Sequence, residues 1–140
     1  WLETANAAQA GAIAKACHGR VVEAASGVHG HDILEKLIFT LPTRDAAFVA
    51  EELAANGTWF AVHASGHHVF CRLMEFMPEQ PATARLVEEV LAGDVVHLCC
   101  HKFGHISAMS ILSNGLPRHR AELLQCLCSQ HKRFARHRFA

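Results

Sequence analysis

Cys100-His101-Lys102-Phe103-Gly104-His105-Ile106-Ser107-Ala108-Met109-Ser110-Ile111-Leu112 decides how this chain is read. Its His-x-Phe-Gly block returns as His137-Arg138-Phe139-Ala140, 36 positions later, with Ala in place of Gly. His63-Ala64-Ser65-Gly66-His67 lies 38 positions before it, and Gly27-Val28-His29-Gly30-His31 another 36 before that. Copies at nearly constant spacing identify a repeat protein, since a period of about 20–50 residues marks a stacked array.

The likeness extends past the block. Each Gly-His opens an apolar run, at 33–38, 69–74 and 107–112, and each run meets a proline: Pro42, Pro78 and Pro117, with Pro81 as a second register. Segments charged at intervals follow at 44–55, 82–91 and 118–127. Helical spacing of apolar residues (Ile13, Ala16, Cys17, Val21, Val22) predicts a helix over 12–25, and residues 1–10 read as the last helix of a preceding unit. Middle helices are expected at 31–40, 66–77 and 104–112, and short first helices at 58–64 and 95–103, with Trp59, Phe60 and Val62 facing the core. A fourth unit is expected to begin at 129–139. Thr43 and Asp94 are expected as N-caps, Asn56-Gly57 and Gly93 as helix stops, and Pro81 as a first helical residue. No period-2 alternation is sustained, so the fold class is all-α. Two-helix armadillo or HEAT units repeat at about 40–47 residues, longer than the spacing here.

Gly-His plus an apolar run ending in Leu, preceded by His-x-Phe-Gly, resembles the Pumilio-type (PUF) RNA-binding repeat, from about residue 12 onward. The resemblance implies a right-handed, armadillo-like α-solenoid of three-helix repeats. It divides the chain into a partial repeat at about 1–27, repeats at about 28–63, 64–101 and 102–137, and a truncated C-terminal unit. It implies single-stranded RNA, an mRNA 3′ UTR, as partner along the concave face, regulatory proteins on the convex face, and post-transcriptional control of mRNA. The alternatives are a protein-interaction scaffold and a ribosome-biogenesis factor of the same architecture.

In that family the second helix of each repeat offers two side chains to a base edge and one for stacking. Carried over, the edge readers are His31 and Glu35, His67 and Cys71, and His105 and Met109. The stacking places fall on Asp32, His68 and Ile106. Glu35, Cys71 and His68 are of types the family uses there. Asp32 sets a carboxylate against a polyanion, and Ile106 and Met109 give contact without hydrogen-bond readout. Residues four apart share a helix face, and single strands expose base edges and faces to such groups. For His31, His67 and His105 the competing reading is a histidine bonded to a backbone group of the adjacent repeat. Lys102 and Arg138 are the expected phosphate contacts.

Apolar residues make up 51% of the chain, which fits a folded core rather than disorder. Residues 1–93 hold six Lys/Arg against eleven Asp/Glu, net −5; residues 94–140 hold seven against two, net +5. A nucleic acid would be drawn to the second half. Six cysteines without a Cys-x-x-Cys pair fit small apolar side chains in a reducing compartment, cytoplasmic, with nuclear or nucleolar placement as the alternative. Cys99-Cys100-His101 with His105, and Cys126-x-Cys128 with His131, contain zinc-ligand types but not the paired framework of a zinc site. No metal, cofactor, membrane span or enzymatic motif is expected, and the carboxylates read as exposed helix charges.

Overall fold

A computed structural model of the chain describes residues 7–130. Among these, ten α-helices and one 3-10 turn form three successive triplets after a lone helix, with no strand. The lone helix is α1 (Ala7–Cys17). The triplets are α2 (Val21–Ser26), α3 (Gly30–Thr40) and α4 (Thr43–Leu53); α5 (Gly57–Ala61), α6 (Gly66–Phe76) and α7 (Pro81–Ala92); and α8 (Val95–Cys100), α9 (Gly104–Asn114) and α10 (Pro117–Ser129). Middle helices pack side by side, α3 on α6 and α6 on α9, while α4, α7 and α10 form a second layer. This is an all-α solenoid.

Equivalent positions fill the core. Leu37, Leu73 and Ile111, each seven residues after the opening glycine of a middle helix, are all fully buried. Val49, Val87 and Leu123 do the same from the second layer. Burying such a side chain is worth about 1.5–3 kcal/mol. Across the boundary between triplets, the buried Ser107 hydroxyl donates to the Ala61 carbonyl at 2.7 Å.

Proline starts the outer helices. Pro81 and Pro117 occupy the first turn of α7 and α10, where a missing N–H costs nothing. Leu41, Gln80 and Leu116, each just before a proline, take the extended backbone that the ring enforces. Asp94 caps α8 as expected, accepting from the His97 N–H at 3.1 Å.

Several expectations are corrected. The helix expected over 12–25 breaks at 18–20, where Gly19 has φ +81. Thr43 is the first residue of α4, and Pro42 holds the cap position without a side-chain bond. Gly57 opens α5 rather than ending α4, and a Cβ there would lie 2.8 Å from Leu86 Cδ1. Trp59 is 48% exposed, edge-on to Phe60 and tilted over His63, so only Phe60 of that trio is fully buried. Glu52 and Glu89 are not merely surface charges. Glu52 accepts from the Gly19 and Val21 N–H groups at the start of α2, and Glu89 from the Gly57 N–H at the start of α5. Each carboxylate thus satisfies orphan donors at the positive end of a helix.

The opening glycine of every middle helix sits against the preceding short helix. A Cβ at Gly30 would lie 2.3 Å from the Ala24 carbonyl oxygen, at Gly66 2.4 Å from Phe60 Cδ1, and at Gly104 2.3 Å from the Leu98 oxygen. Backbone φ is not the reason, since Gly19 is the only described glycine with a positive value. Gly104→Val is expected to destabilise the chain by about 2–3 kcal/mol or more through overpacking. Gly11→Ala, inside α1 with nothing within 4 Å of the added carbon, should stabilise it by about 0.5–1 kcal/mol. Urea unfolding of the two variants checks both signs.

Candidate functional site

The repeated His-x-x-Gly-His block builds the start of each of the last two middle helices. In the second triplet the His63 ring Nδ1 accepts from the Ser65 and Gly66 N–H groups, both at 3.0 Å. In the third, His101 Nδ1 accepts from Phe103 and Gly104 at 3.0 and 3.2 Å. The second histidine of the block does the reverse: Nδ1–H of His67 donates to the His63 carbonyl at 2.9 Å, and that of His105 to the His101 carbonyl at 3.0 Å. One imidazole therefore caps free N–H groups while the other ties down a carbonyl. The bonds of His67 and His105 lie within their own repeat, not to its neighbour. Gly27 stands where His63 and His101 stand, so the first triplet has no such cap.

All nine tripeptide residues fall at the second, third and sixth places of three eleven-residue helices, on a row of adjacent helices. Their exposure differs. Asp32, His68, His105, Ile106 and Met109 are open to solvent, His31, Glu35 and Cys71 are half-buried, and His67 is buried. Lys102 is exposed, its Nζ 5.4 Å from the centre of the Phe103 ring. Arg138 lies outside the described residues.

Rings link the row. His31 stacks on His68 at 4.9 Å, His68 leans on His67 at 4.0 Å, and His67 stacks on Phe103 at 5.1 Å. Burial, then the neighbouring His67, holds the His68 imidazole below its usual range. A neutral His68 is compatible with this stack, whereas adjacent imidazolium ions would repel.

Glu35 is held from two sides. His31 Nδ1 lies 2.8 Å from its Oε2, and Arg72 Nε of the next triplet donates to Oε1 at 3.2 Å. Arg72 also pairs with Glu75. Donor atoms of His31, Asp32 and Glu35 gather within 4.8 Å of one another, with Glu35 already bonded to His31 and paired with Arg72. Cys99, Cys100, His101 and His105 line one cavity together with Lys102. Burial pushes the Cys99 thiol up to about 11 and raises that of Cys100, which opposes the thiolate a metal needs. Both Nδ1 atoms of that group are committed to backbone.

Sequence reasoning missed Arg72 and the Phe39–Phe76 pair. The rings meet edge to face at 5.5 Å, and Phe39 is 72% exposed. Apolar residues near the ends of two adjacent middle helices were the available signal, hidden because an aromatic there reads as core.

Burial, then His97 and His105, lowers the pKa of His101. A folded-state value below the unfolded one near 6.5 means the unfolded chain binds the extra proton first. The cap's contribution is therefore present above about pH 6.5 and lost as pH falls through the lower folded value. His101→Asn should keep an acceptor near the Nδ1 position and flatten this part of the acid response. His101→Ala should cost about 1 kcal/mol at pH 7.5. Denaturant unfolding at pH 7.5 and 5.5 measures both; an equal pH dependence in wild type and His101→Asn would remove the assignment.

No family model matches the sequence, and no curated protein matches it. Solved structures do. The chain superposes on the Puf4 RNA-binding domain bound to the HO endonuclease RNA 3′ UTR recognition sequence with TM-score 0.86 and 20% identity, over 99% of this chain and 42% of that one. The Puf3 RNA-binding domain bound to Cox17 RNA 3′ UTR recognition sequence site B gives TM-score 0.86 and 18% identity, over 99% and 40%. The RNA-binding domain of yeast Puf5p bound to AAT2 RNA gives 0.82 and 12%, over 99% and 40%. The chain spans about two-fifths of the length of these domains. No helix among its described residues is long and apolar enough to cross a membrane. Its helix triplets, its row of middle helices and these superpositions together establish that the chain has the Pumilio-type helical-repeat fold.

Proposed function

We propose that the exposed face of the α3–α6–α9 row binds single-stranded RNA, and that the chain acts in post-transcriptional control of mRNA through a 3′ UTR. One observation carries this reading: three tripeptides recur at the same places of three adjacent helices. Packed helices stand about 8–10 Å apart, whereas stacked bases of a duplex strand advance about 3.4 Å. A strand giving one base to each helix must therefore be unstacked, and its bases need side chains between them. The solved structures of this fold named above hold RNA.

The units contribute unequally. Glu35, fixed by His31 and Arg72, presents a carboxylate that only accepts hydrogen bonds. It suits a base whose Watson–Crick edge offers paired donors, as guanine does. His68 offers the stacking face, reached as a base enters beside His31. His105, Ile106 and Met109 are exposed on α9, with Lys102 beside them for a phosphate. His67 is closed off against Phe103 and acts by positioning His68.

A protein-interaction scaffold is the second reading. It is favoured by the exposure of Ile106 and Met109, 40% and 60%, where hydrogen-bonding readers would serve a base better. Anisotropy titration against pooled single-stranded RNAs separates the two: RNA affinity must fall as salt rises, because released counterions drive phosphate contacts. Absent or salt-independent uptake leaves the scaffold. His68→Ala is expected to weaken RNA binding by about 1–3 kcal/mol with the melting temperature little changed, and an unaltered affinity would exclude a stacking role.

A further inference from the structure

The short helices leave a groove of about 380 Å³ between α5 and α8. The exposed Trp59 and His97 form its walls, Val62, Val90 and Leu98 its floor, and Thr58 and Asp94 its rim. None of these residues belongs to a middle helix, so the groove is separate from the α3–α6–α9 row. Trp59 and His97 hold the same place in successive units, each seven residues before the opening glycine of its middle helix. The groove is thus made by the stacking of two units and exists in neither alone.

A scattered exposed apolar side chain is ordinary, but an aromatic wall over an apolar floor is the form of a ligand seat. Phe60 and His63 hold the Trp59 ring in place, which fixes the wall while leaving the indole half in water. The charge around the groove decides what fits it. Asp94 is exposed on the rim, and the Glu89 carboxylate bonds the Gly57 N–H beside Thr58. No Lys or Arg lines the groove. The phosphates of a nucleic acid would meet repulsion there, and so would an acidic peptide. A plain hydrocarbon would use the floor and gain nothing from the carboxylates. A polypeptide with an apolar side chain next to a basic one uses both features. Its apolar group displaces water from Val62, Val90 and Leu98, and its cation lies beside Asp94. An indole also offers an N–H donor to a peptide carbonyl, and aromatic-lined grooves take extended segments in this way.

We propose that the Trp59–His97 groove docks an extended segment of a partner protein, through an apolar side chain seated between the two rings and a Lys or Arg beside it at Asp94. This does not rest on the RNA reading. The groove and the row of tripeptides share no residue, so both can be occupied at once.

The test pans a display library of random peptides on the chain. Enriched sequences should carry an apolar residue close to a Lys or Arg. A synthetic peptide of enriched sequence should shift the Trp59 emission to the blue as the indole leaves water, read in a Trp1→Phe background because the chain has two tryptophans. Trp59→Ala should weaken peptide binding about 30-fold or more, the loss expected of a buried aromatic anchor, and His97→Ala should weaken it in the same direction. Asp94→Asn keeps a capping side chain for α8. It should weaken binding about 2- to 5-fold and flatten its salt dependence. No enrichment, enrichment of acidic sequences, or an unchanged affinity in Trp59→Ala overturns the proposal. So does coupling of single-stranded RNA to a photoreactive side chain at position 59, which would give the groove to nucleic acid.

Discussion

Every unit of this array depends on one close approach, where the opening glycine of a middle helix meets the end of the short helix before it. At Gly30, Gly66 and Gly104 the nearest non-neighbouring atoms leave no room for a β-carbon. Because the junction is so tight, the middle helix can leave it at only one angle, and the three middle helices come out side by side. The imidazoles of His63 and His101 then satisfy N–H groups that would otherwise be stranded at that junction. Buried or half-buried orphan donors are costly, so glycine and histidine act together: one permits the contact, the other makes it chemically complete.

The same two residues explain why the fold was legible and the site less so. A tight junction repeated three times leaves the same residues at the same spacing, which is what the run around 101–105 displayed. Prolines at the outer-helix starts added independent punctuation. The errors were local. The left-handed Gly19 split an apolar pattern that reads as one helix, and Trp59 turned outward over His63 despite sitting in an apolar run. Glu52 and Glu89 cap helices some thirty residues away, a relation that only the folded layers create.

At the candidate site, sequence located the places but not their occupancy. His67 and His68 are neighbours of the same chemical type, yet one is buried against Phe103 and the other is exposed beside His31. They point about 100° apart around α6, so each meets a different ring of an adjacent unit. Glu35 was recognisable as a candidate by position, but the bond that holds it comes from Arg72 on the next helix. The geometry of each tripeptide is therefore a property of pairs of units, and transplanting one tripeptide alone would not carry it along.

Gly27 occupies the place where the two later units carry an imidazole, and this makes the array chemically uneven along its length. Protonation of His101, whose pKa burial holds down, removes the acceptor at the third junction, while the first junction has none to lose. Acid therefore loosens the array from one side, weakening the helix start of the third unit while the first junction stays indifferent. A surface built of near-identical bricks acquires a direction in this way, set by a single missing side chain rather than by any difference in the layout of the helices.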